Sequence, residues 1–335
     1  MKQNIAVIGA GSWGTALAIT LSSKKHNVKI WDLDEEHLKS LDKERENKKY
    51  LPGIKFGDTM KVEYTVKDVL YGADIALFSV PAQFFRGAAE GAKRYMNHDM
   101  IVVNVAKGIE QKSLQTMSQV AEAVIPEIKY AVLSGPSHAE EVGLGIPTTV
   151  AVASKDLAVA EHIQDIFMTD RFRVYTNHDV MGLELGGSLK NIIALGAGIT
   201  DGMGFGDNTK AALMTRGISE MVSLGMAMGA DKDTFSGLSG IGDLIVTCTS
   251  MHSRNRRCGI MIGEGMDPKE ATGKIGMVVE GMFTTEAAYE LSKKLDVSMP
   301  ITEQIYNVIN GKSNPQDAME SLMNRPKKHE MEHIE

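Results

Sequence analysis

The order of patterns at the start of the chain constrains its fold more than any other feature of the sequence. A buried-strand pattern at residues 5–8 runs directly into the loop GAGSWG, residues 9–14, and the helical segment TALAITLSSK follows. In such a loop Gly9 allows a tight turn, Gly11 lets a pyrophosphate approach the backbone, and Gly14 lets the helix pack on the strand. The sequence therefore predicts a Rossmann-type βαβ unit that binds a dinucleotide. Glycines that serve packing alone are the weaker alternative.

The end of the second strand pattern bears on which dinucleotide binds. Asp32 follows the run NVKIW and lies about 20 residues beyond the glycine loop, where a carboxylate can accept the ribose hydroxyls. A carboxylate there repels the 2'-phosphate of NADP, and the neighbours Leu33 and Asp34 supply no compensating cation. We therefore expect NAD in preference to NADP.

Short runs rich in β-branched residues alternate with amphipathic segments in the first half of the chain. They read NIAVI, NVKIW, DIALFSV, MIVVNVA, YAVLS and TTVAVAS. This alternation predicts βαβ units and a parallel sheet. After Asn177 the strand patterns fade, and helix-length segments rich in Ala, Met, Leu and Gly follow one another. We therefore predict an α/β protein with an N-terminal Rossmann-type parallel-sheet domain, residues 1–178. An all-helical C-terminal domain for substrate binding and catalysis, residues 179–335, follows it across a cleft.

Composition limits the classes of partner. The 335 residues carry a formal net charge of -7, and the basic residues are scattered among acids. We therefore expect a small anionic or neutral substrate, no nucleic acid and no membrane surface. Two cysteines are too few for a disulfide framework, the N-terminus lacks a signal-peptide pattern, and no apolar run is long enough to span a bilayer. These features favour a cytoplasmic protein.

Polar residues interrupt several apolar stretches. Lys190 lies inside the glycine-rich run ELGGSLKNIIALGAGITDG, Lys107 ends a strand pattern, and Asp243 interrupts GLSGIGDLIVTC. Ligands of α/β sheets bind at the carboxyl ends of strands, where Lys107 and the turn SGPS, residues 134–137, would lie. We therefore expect these groups to converge on one cleft. A Lys190 that extends its ammonium to water and an Asp243 that only caps a helix remain the alternatives.

The loop SMHSRNRRCG supplies a candidate clamp for a phosphate. Arg254 offers a planar fork of donors, and Ser253 and Asn255 add neutral ones. His138 and His252 flank the expected site, and we expect both to be hydrogen-bonded surface residues. Residues 329–333, HEMEH, match the zinc-protease pattern HExxH. Because they lie in a charge-dense tail without an apolar face, we expect no metal site.

Several blocks in the same order resemble the bacterial-type NAD(P)-dependent glycerol-3-phosphate dehydrogenases along nearly the whole chain. They are GAGSWGTALA, AKGIE, LSGPSHAEEV, GGSLKNIIALGAGITDGMGFGDNTKAAL, SGIGDLIVTCTSMHSRNRRCG and MVVEGMFTT. The resemblance implies reversible reduction of dihydroxyacetone phosphate to sn-glycerol 3-phosphate for phospholipid synthesis, with NAD or NADP, by a homodimer. Members that use NADPH often have a basic residue or histidine where this chain has Asp32 and its neighbours, so this position departs from the pattern.

The resemblance also implies roles for individual residues. The proton-transferring lysine falls on Lys190; from their charges, we expect Lys107 and Asp243 to act with it in catalysis. Substrate contacts fall on Lys107, Gly135, Ser137, Lys190, Asp243, Ser253, Arg254 and Asn255. Cofactor contacts fall on Ser12, Trp13, Lys107, Ala139, Arg254, Val278 and Glu280, in addition to Gly9, Gly11, Gly14 and Asp32 from the fingerprint.

Chemistry predicts an unusual acidity for Lys190. Hydride transfer to a carbonyl leaves negative charge on its oxygen, so an ammonium there can stabilise that charge and donate the proton. Burial and a nearby Lys107 would lower the pKa of Lys190, whereas Asp243 would oppose the change, and we expect a net depression. Two other functions remain open: a β-hydroxy-acid dehydrogenase of the same two-domain plan, and a dinucleotide sensor without turnover.

Overall fold

The computed structural model describes residues 2–327 and 329–330. Its strands are Asn4–Ile8 (β1), Asn27–Trp31 (β2), Glu46–Asn47 (β3), Leu51–Lys55 (β4), Met60–Val62 (β5), Ile75–Phe78 (β6), Ile101–Asn104 (β7), Lys129–Ser134 (β8), Thr148–Ala153 (β9) and Phe172–Asn177 (β10). Its first seven helices are Ser12–Ser23 (α1), Glu35–Glu44 (α2), Val66–Leu70 (α3), Ala82–Lys93 (α4), Met117–Val124 (α5), Ala139–Gly143 (α6) and Leu157–Phe167 (α7).

The remaining helices follow the last strand. They are Val180–Gly202 (α8), Asp207–Ala227 (α9), Asp243–Thr249 (α10), Arg254–Gly263 (α11), Pro268–Ile275 (α12), Glu280–Lys294 (α13), Pro300–Ile309 (α14) and Pro315–Met323 (α15). A 3₁₀-helix, Lys232–Ser236, and a π-helical turn, Leu238–Gly242, lead into α10. Among the described residues no helix is long and apolar enough to cross a membrane.

One sheet organises the first half of the molecule. Its eight strands lie in the order β10-β9-β8-β7-β6-β1-β2-β5, while β3 and β4 pair separately. Neighbouring strands are parallel, except for the antiparallel pair β8 and β9. The run from β5 through β1 to β8 has the doubly wound order of dinucleotide-binding folds, which reverses between β1 and β6. The predicted α/β fold with a Rossmann-type sheet is confirmed, and the crevice that follows from its topology opens beyond β1 and β6.

Burial explains which strands the sequence predicts. The central strand β6 is buried throughout, as expected for a strand with helices on both faces of the sheet. In contrast, β10 alternates buried and exposed residues, with Phe172 and Val174 inward and Arg173 and Tyr175 outward. Continuous hydrophobic runs predict the central strands, whereas the edge strands β5 and β10 lack such runs and were not predicted.

A buried central helix organises the second half. Every residue of α8 from Gly182 to Thr200 is buried, and α9, α10, α11, α13 and α14 pack around it. The α11 backbone lies unusually close to it: a Cβ on Gly198 would meet the carbonyl oxygen of Arg256 at 2.1 Å, and one on Gly259 would meet that of Leu195 at 2.1 Å. Because glycines lie at this contact, the backbones of the two helices touch directly. This close contact fixes the register of α8 against α11.

Glu184 attaches α8 to the sheet. Its buried carboxylate accepts hydrogen bonds from the Ser118 amide at 2.8 Å, the Ser118 hydroxyl at 2.7 Å and the Tyr130 hydroxyl at 2.5 Å. Ser118 lies in the first turn of α5, and Tyr130 lies on β8. Since helix N-termini favour negative charge, this contact fixes α8 against both elements.

Candidate active site

Three charged side chains from distant parts of the chain meet in one buried cluster. The Asp243 carboxylate, 1% exposed, accepts from the Lys190 ammonium at 2.5 Å and from the Lys107 ammonium at 2.6 Å, one on each oxygen. Lys190 also donates to the Thr247 hydroxyl at 2.7 Å, and Lys107 donates to the Gly135 carbonyl at 3.0 Å. With both lysines protonated, the cluster holds one net positive charge.

The fold explains how these groups come together. Lys107 follows β7, and Gly135 follows β8, so both lie at the carboxyl edge of the sheet. Lys190 lies in the middle of α8, and Asp243 begins α10, which packs on α8. Gly135 has a φ of +144°, and a Cβ there would lie 2.9 Å from the Val150 backbone. The predicted convergence of Lys107, Lys190 and Asp243 is therefore present in the structure.

The environment changes the acidity of these groups. Burial lowers the pKa of Lys190 to about 8, with Asp243 opposing the change and Lys107 adding to it. Burial acts to raise the pKa of Asp243, but the two ammonium groups outweigh it, and its pKa lies below the ordinary value. The expected depression of the Lys190 pKa is confirmed in direction, so this lysine can exchange a proton near neutral pH.

The loop predicted as a phosphate clamp lies at the start of α11. Ser253 caps this helix by accepting from the Arg256 amide at 3.2 Å. The Arg254 guanidinium donates to the Val278 carbonyl at 3.0 Å. Asn255 donates to the Asn191 side chain at 2.9 Å and accepts from the Gly281 amide at 2.8 Å. Of the three, Arg254 keeps the most donor capacity beyond these contacts.

The glycine loop has the geometry that a dinucleotide requires. Gly9 has a φ of +104°, and a Cβ there would lie 2.5 Å from the Ser79 carbonyl oxygen. A Cβ on Gly14 would lie 2.1 Å from the Gly9 oxygen, whereas one on Gly11 would meet no atom within 4 Å. Gly9 and Gly14 are thus required by close packing, and the space over Gly11 at the start of α1 is open to a pyrophosphate.

Asp32 lies beside this loop at the end of β2. One carboxylate oxygen accepts from the Ala10 amide at 2.7 Å, and the other accepts from the Asp34 amide at 3.1 Å. The carboxylate is only partly buried, and each oxygen has a second lone pair. Asp32 therefore holds the loop in place and can still accept hydrogen bonds from ribose hydroxyls.

The other predicted cofactor contacts surround the same crevice. Ser12 and Trp13 begin α1, and Ala139 begins α6, which packs on α1. Among the described residues, neither the Trp13 indole nitrogen nor one carboxylate oxygen of Glu280 has a hydrogen-bond partner, although both atoms are buried. The other Glu280 oxygen accepts from the Ala82 amide at 2.9 Å, and burial raises the pKa of Glu280 to about 7. A buried donor and a buried acceptor without partners fit a polar cofactor.

Other predicted residues lie at the same edge of the sheet. Ser137 donates to the Gly135 carbonyl at 2.9 Å. Val278 lies before α13 and accepts from Arg254. The predicted site residues thus lie after strands β1, β2, β7 and β8, in the middle of α8, and at or just before the starts of α1, α6, α10, α11 and α13.

Two polar residues next to the cluster are less evident in the sequence. Thr247 lies one turn after Asp243 on α10, which their spacing of four allows, and it accepts from Lys190. Asn191 donates to the Lys107 carbonyl at 3.3 Å. Its only sequence signal is that it follows Lys190 inside an apolar helix. Both residues hold lysines of the cluster in place.

One of the two histidines near the site differs from its predicted surface position. His252 is exposed, but His138 is half-buried, and its Nε2 is buried without a hydrogen-bond partner among the described residues. The expectation of a hydrogen-bonded surface residue was therefore wrong for His138. In the HExxH match, Met331, Glu332 and His333 lie outside the described residues. Within the described ranges no group of three or more His, Cys, Asp or Glu side chains could hold a metal ion.

Comparison with known proteins gives a consistent assignment. Residues 4–160 match the family model described as NAD-dependent glycerol-3-phosphate dehydrogenase N-terminus, and residues 179–320 match that of the C-terminus. A protein of Pelotomaculum thermopropionicum named glycerol-3-phosphate dehydrogenase [NAD(P)+] is 54% identical, over 100% of this chain and 97% of its own length. A Bacillus pumilus protein of the same name is 50% identical, over 99% and 97%.

The fold agrees with solved structures of such proteins. The crystal structure of glycerol-3-phosphate dehydrogenase from Coxiella burnetii superposes with a TM-score of 0.94 at 38% identity, covering 97% of this chain and 99% of that one. Sequence and fold thus agree, and the chain belongs to the family of NAD-dependent glycerol-3-phosphate dehydrogenases.

Proposed function

We propose that this protein is an NAD(P)-dependent glycerol-3-phosphate dehydrogenase that interconverts dihydroxyacetone phosphate and sn-glycerol 3-phosphate. The family supports the reaction, and one observation supports its location: the buried cluster of Lys107, Lys190 and Asp243 at the edge of the sheet where the glycine loop lies. A charge cluster with one excess cation suits a phosphorylated substrate whose carbonyl oxygen becomes negative during reduction.

Lys190 is the proton donor in our proposal. When bound, the nicotinamide cofactor supplies the hydride, and reduction of a ketone also requires one proton at its oxygen. The Lys190 ammonium uses two of its three N–H donors on Asp243 and Thr247. The third can donate to the substrate oxygen and then transfer its proton there. In the oxidative direction the neutral amine takes the proton back.

Lys107 and Asp243 set the charge and position of Lys190. Asp243 holds both ammonium groups, so Lys190 cannot rotate away without breaking an ion pair in a buried site. Lys107 keeps its own positive charge near the substrate oxygen after Lys190 has given up its proton. We propose Gly135 and Ser137 as neighbouring substrate contacts, since both lie on the loop that Lys107 touches.

Recognition of the phosphate is assigned to the start of α11. Arg254 has a fork of donors of which one N–H donates to the Val278 carbonyl, and guanidinium groups bind phosphate in two-pronged fashion. Ser253 and Asn255 flank it on the same turn. We propose these three residues as the phosphate clamp, with Arg254 as its charged member.

The dinucleotide is assigned to the crevice beyond β1 and β6. The proposed contacts are Gly9, Gly11, Ser12, Trp13, Gly14, Asp32, Lys107, Ala139, Arg254, Val278 and Glu280. We propose a preference for NAD over NADP, because Asp32 places a carboxylate where NADP carries its extra phosphate. The relatives named above are designated [NAD(P)+], a name that covers both cofactors.

The two alternative functions receive less support. D-mandelate dehydrogenase shares the fold with a TM-score of 0.65 at 14% identity, a likeness that concerns the fold alone. A dinucleotide sensor without turnover would have no use for a proton donor with a pKa near neutrality. The family assignment therefore favours the phosphorylated triose.

The decisive experiment measures oxidation of NADH, and separately of NADPH, by the purified protein with dihydroxyacetone phosphate. We expect turnover with both cofactors and a higher kcat/KM with NADH. Turnover of β-keto acids without turnover of dihydroxyacetone phosphate would transfer the assignment to the hydroxy-acid enzymes. Binding of NADH without any turnover would favour the sensor.

Three further assignments are part of the proposal. We propose that the chain consists of two domains with the boundary between residues 178 and 179, since β10 ends at Asn177 and α8 begins at Val180.

Sedimentation equilibrium should reveal the homodimer that the family resemblance suggests. Supply of sn-glycerol 3-phosphate for phospholipid headgroups in the cytoplasm is the expected role, and loss of the gene should produce a requirement for that product.

A further inference from the structure

Two histidines from different loops lie side by side next to the proposed substrate contacts. The rings of His138 and His252 are tilted by 50° with centroids 5.5 Å apart. His138 belongs to the loop after β8, directly after Ser137, and His252 belongs to the loop between α10 and α11, directly before Ser253. The pair therefore joins the two loops that carry the proposed substrate contacts, one from the sheet and one from the helical part.

The surroundings of His138 point to a ligand. Its Nε2 is buried and has no hydrogen-bond partner among the described residues, although a buried polar atom is ordinarily paired. Its ring lies within electrostatic reach of Lys190 on α8, of Glu140 and Glu141 on its own helix α6, and of His252. A buried ring nitrogen without a partner, near the Lys190 ammonium and beside a second imidazole, suits an oxyanion.

We propose that His138 and His252 form a specificity-determining pair that donates hydrogen bonds to the phosphate of the substrate, beside Arg254. This inference rests on the proposed function, and it adds two residues to the clamp. In the free protein, burial and the nearby Lys190 ammonium lower the pKa of His138, which keeps that imidazole neutral at neutral pH. Arrival of a doubly negative phosphate favours the protonated ring of His138, so we expect substrate binding to raise the pKa of His138.

The charge balance determines a pH dependence. Because the pKa of His138 is expected to be higher in the bound state than in the free state, affinity should fall as pH rises from the free-state pKa toward the bound-state pKa. Lys190 also titrates in this range, with a pKa of about 8. The test therefore compares proteins that all retain Lys190. The contribution of the histidine pair is the difference between the pH dependence of the wild type and that of the histidine variants.

The experiment uses the variants His138→Gln and His252→Gln, with His162→Gln as the matched control. His162 is an exposed histidine on α7, away from the site. For each protein, kcat and KM for dihydroxyacetone phosphate and the inhibition constant of inorganic phosphate are measured between pH 6 and 9, a span chosen around the ordinary histidine pKa of about 6.5. In His138→Gln we expect KM and the inhibition constant to rise about tenfold at neutral pH, the loss of one charge-assisted hydrogen bond. We expect kcat to change little.

Proton NMR of the histidine rings gives a second, independent measurement. The resonance that is missing from the spectrum of His138→Gln identifies the His138 ring. In the wild type, inorganic phosphate should shift this resonance and raise the midpoint pH of its titration. Unchanged inhibition constants in both variants together with an unshifted resonance would overturn the pair. If the wild type fails to turn over dihydroxyacetone phosphate, the proposed function fails, while the phosphate titration by NMR still decides whether the pair binds an oxyanion.

Discussion

At the scale of single residues, the site depends on one carboxylate that serves two amines. Asp243 is almost fully buried, and each of its oxygens accepts from a different lysine. A buried carboxylate with one partner would be costly, whereas two ammonium groups and the Thr247 hydroxyl satisfy it. The cluster is stable for that reason, and its stability keeps Lys190 desolvated enough to release a proton.

Lys190 should therefore determine the pH profile. Because its pKa is about 8, ketone reduction, which needs the ammonium, should slow as pH rises through that value. Oxidation of sn-glycerol 3-phosphate, which needs the neutral amine, should accelerate over the same interval. Steady-state rates in both directions across this pH range test the assignment.

Variants separate the proton transfer from simple packing. Lys190→Ala should reduce kcat about 10³-fold, the usual size of general acid–base catalysis. Thr247→Val removes one orienting hydrogen bond and keeps a side chain of similar volume. It should reduce kcat only about tenfold. Equal pH profiles of the wild type and Lys190→Ala would contradict the role of Lys190.

Asp32 should determine the choice of cofactor. Asp32→Asn removes the negative charge but keeps an oxygen for the Ala10 amide, so the glycine loop should remain in place. We expect the ratio of kcat/KM for NADPH to that for NADH to rise about tenfold, because the repulsion of the 2'-phosphate is lost. Asp58→Asn, an exposed aspartate elsewhere, is the matched control. A ratio that stays at the wild-type value would remove Asp32 from cofactor selection.

At the scale of elements, the contact between α8 and α11 fixes the position of Lys190, the proposed proton donor. The carbonyl oxygens of one helix approach the Cα atoms of the other so closely that no side chain fits at Gly198 or Gly259. Two helices that contact each other through hydrophobic side chains can shift relative to one another. The backbone contact between α8 and α11 allows only one close packing arrangement. This contact therefore fixes the register of α8, and with it the backbone position of Lys190.

A pair of glycine substitutions tests this contact. Gly198→Ala places a methyl group 2.1 Å from the Arg256 oxygen, and overpacking of this kind should destabilise the fold by about 1–3 kcal/mol or more. Gly273→Ala lies on the exposed side of α12, where a Cβ meets no atom within 4 Å. That change should stabilise the protein by about 0.5–1 kcal/mol. Urea unfolding of both variants measures the two effects, and equal midpoints would refute the close contact.

Local patterns allowed the sequence to predict part of this architecture. The glycine loop, the central strands and Lys190 inside an apolar helix can be predicted because each signal lies within a few consecutive residues. The bond between Asn191 and Asn255 joins positions 64 residues apart, and the Glu184 contacts join α8 to α5 and β8. Such partners depend on tertiary packing, and no spacing in the sequence indicates them. The half-buried state of His138 was missed for the same reason.

At the scale of the whole molecule, the cofactor crevice has walls from both halves of the chain. Glu280 begins α13 in the helical part, yet one of its oxygens accepts from Ala82 at the start of α4 beside the sheet. Its other oxygen is buried without a partner among the described residues. A nicotinamide dinucleotide carries hydroxyl and amide donors that can supply this missing hydrogen bond.

Glu280→Gln should therefore weaken cofactor binding without unfolding the protein. The amide oxygen of Gln can still accept from Ala82, but its nitrogen places a donor where the carboxylate had an acceptor. We expect the Kd for NADH, measured by its fluorescence, to rise about tenfold with little change in Tm of the free protein. Glu290→Gln, an exposed position on the same helix, controls for the loss of charge. An unchanged Kd would mean that the dinucleotide does not reach Glu280.

The hydrogen bonds of Lys190 have a consequence for the energetics of turnover. Its ammonium gives two N–H groups to Asp243 and Thr247 and has one left for the substrate. After transfer of the proton, the neutral amine keeps the same two donors on the same two acceptors and presents a lone pair to the new hydroxyl. In the proposed step, therefore, no hydrogen bond of Lys190 within the protein has to be made or broken. By microscopic reversibility the same groups would serve both directions, and the equilibrium constant, the pH and the concentrations of the reactants together decide the direction of net flux.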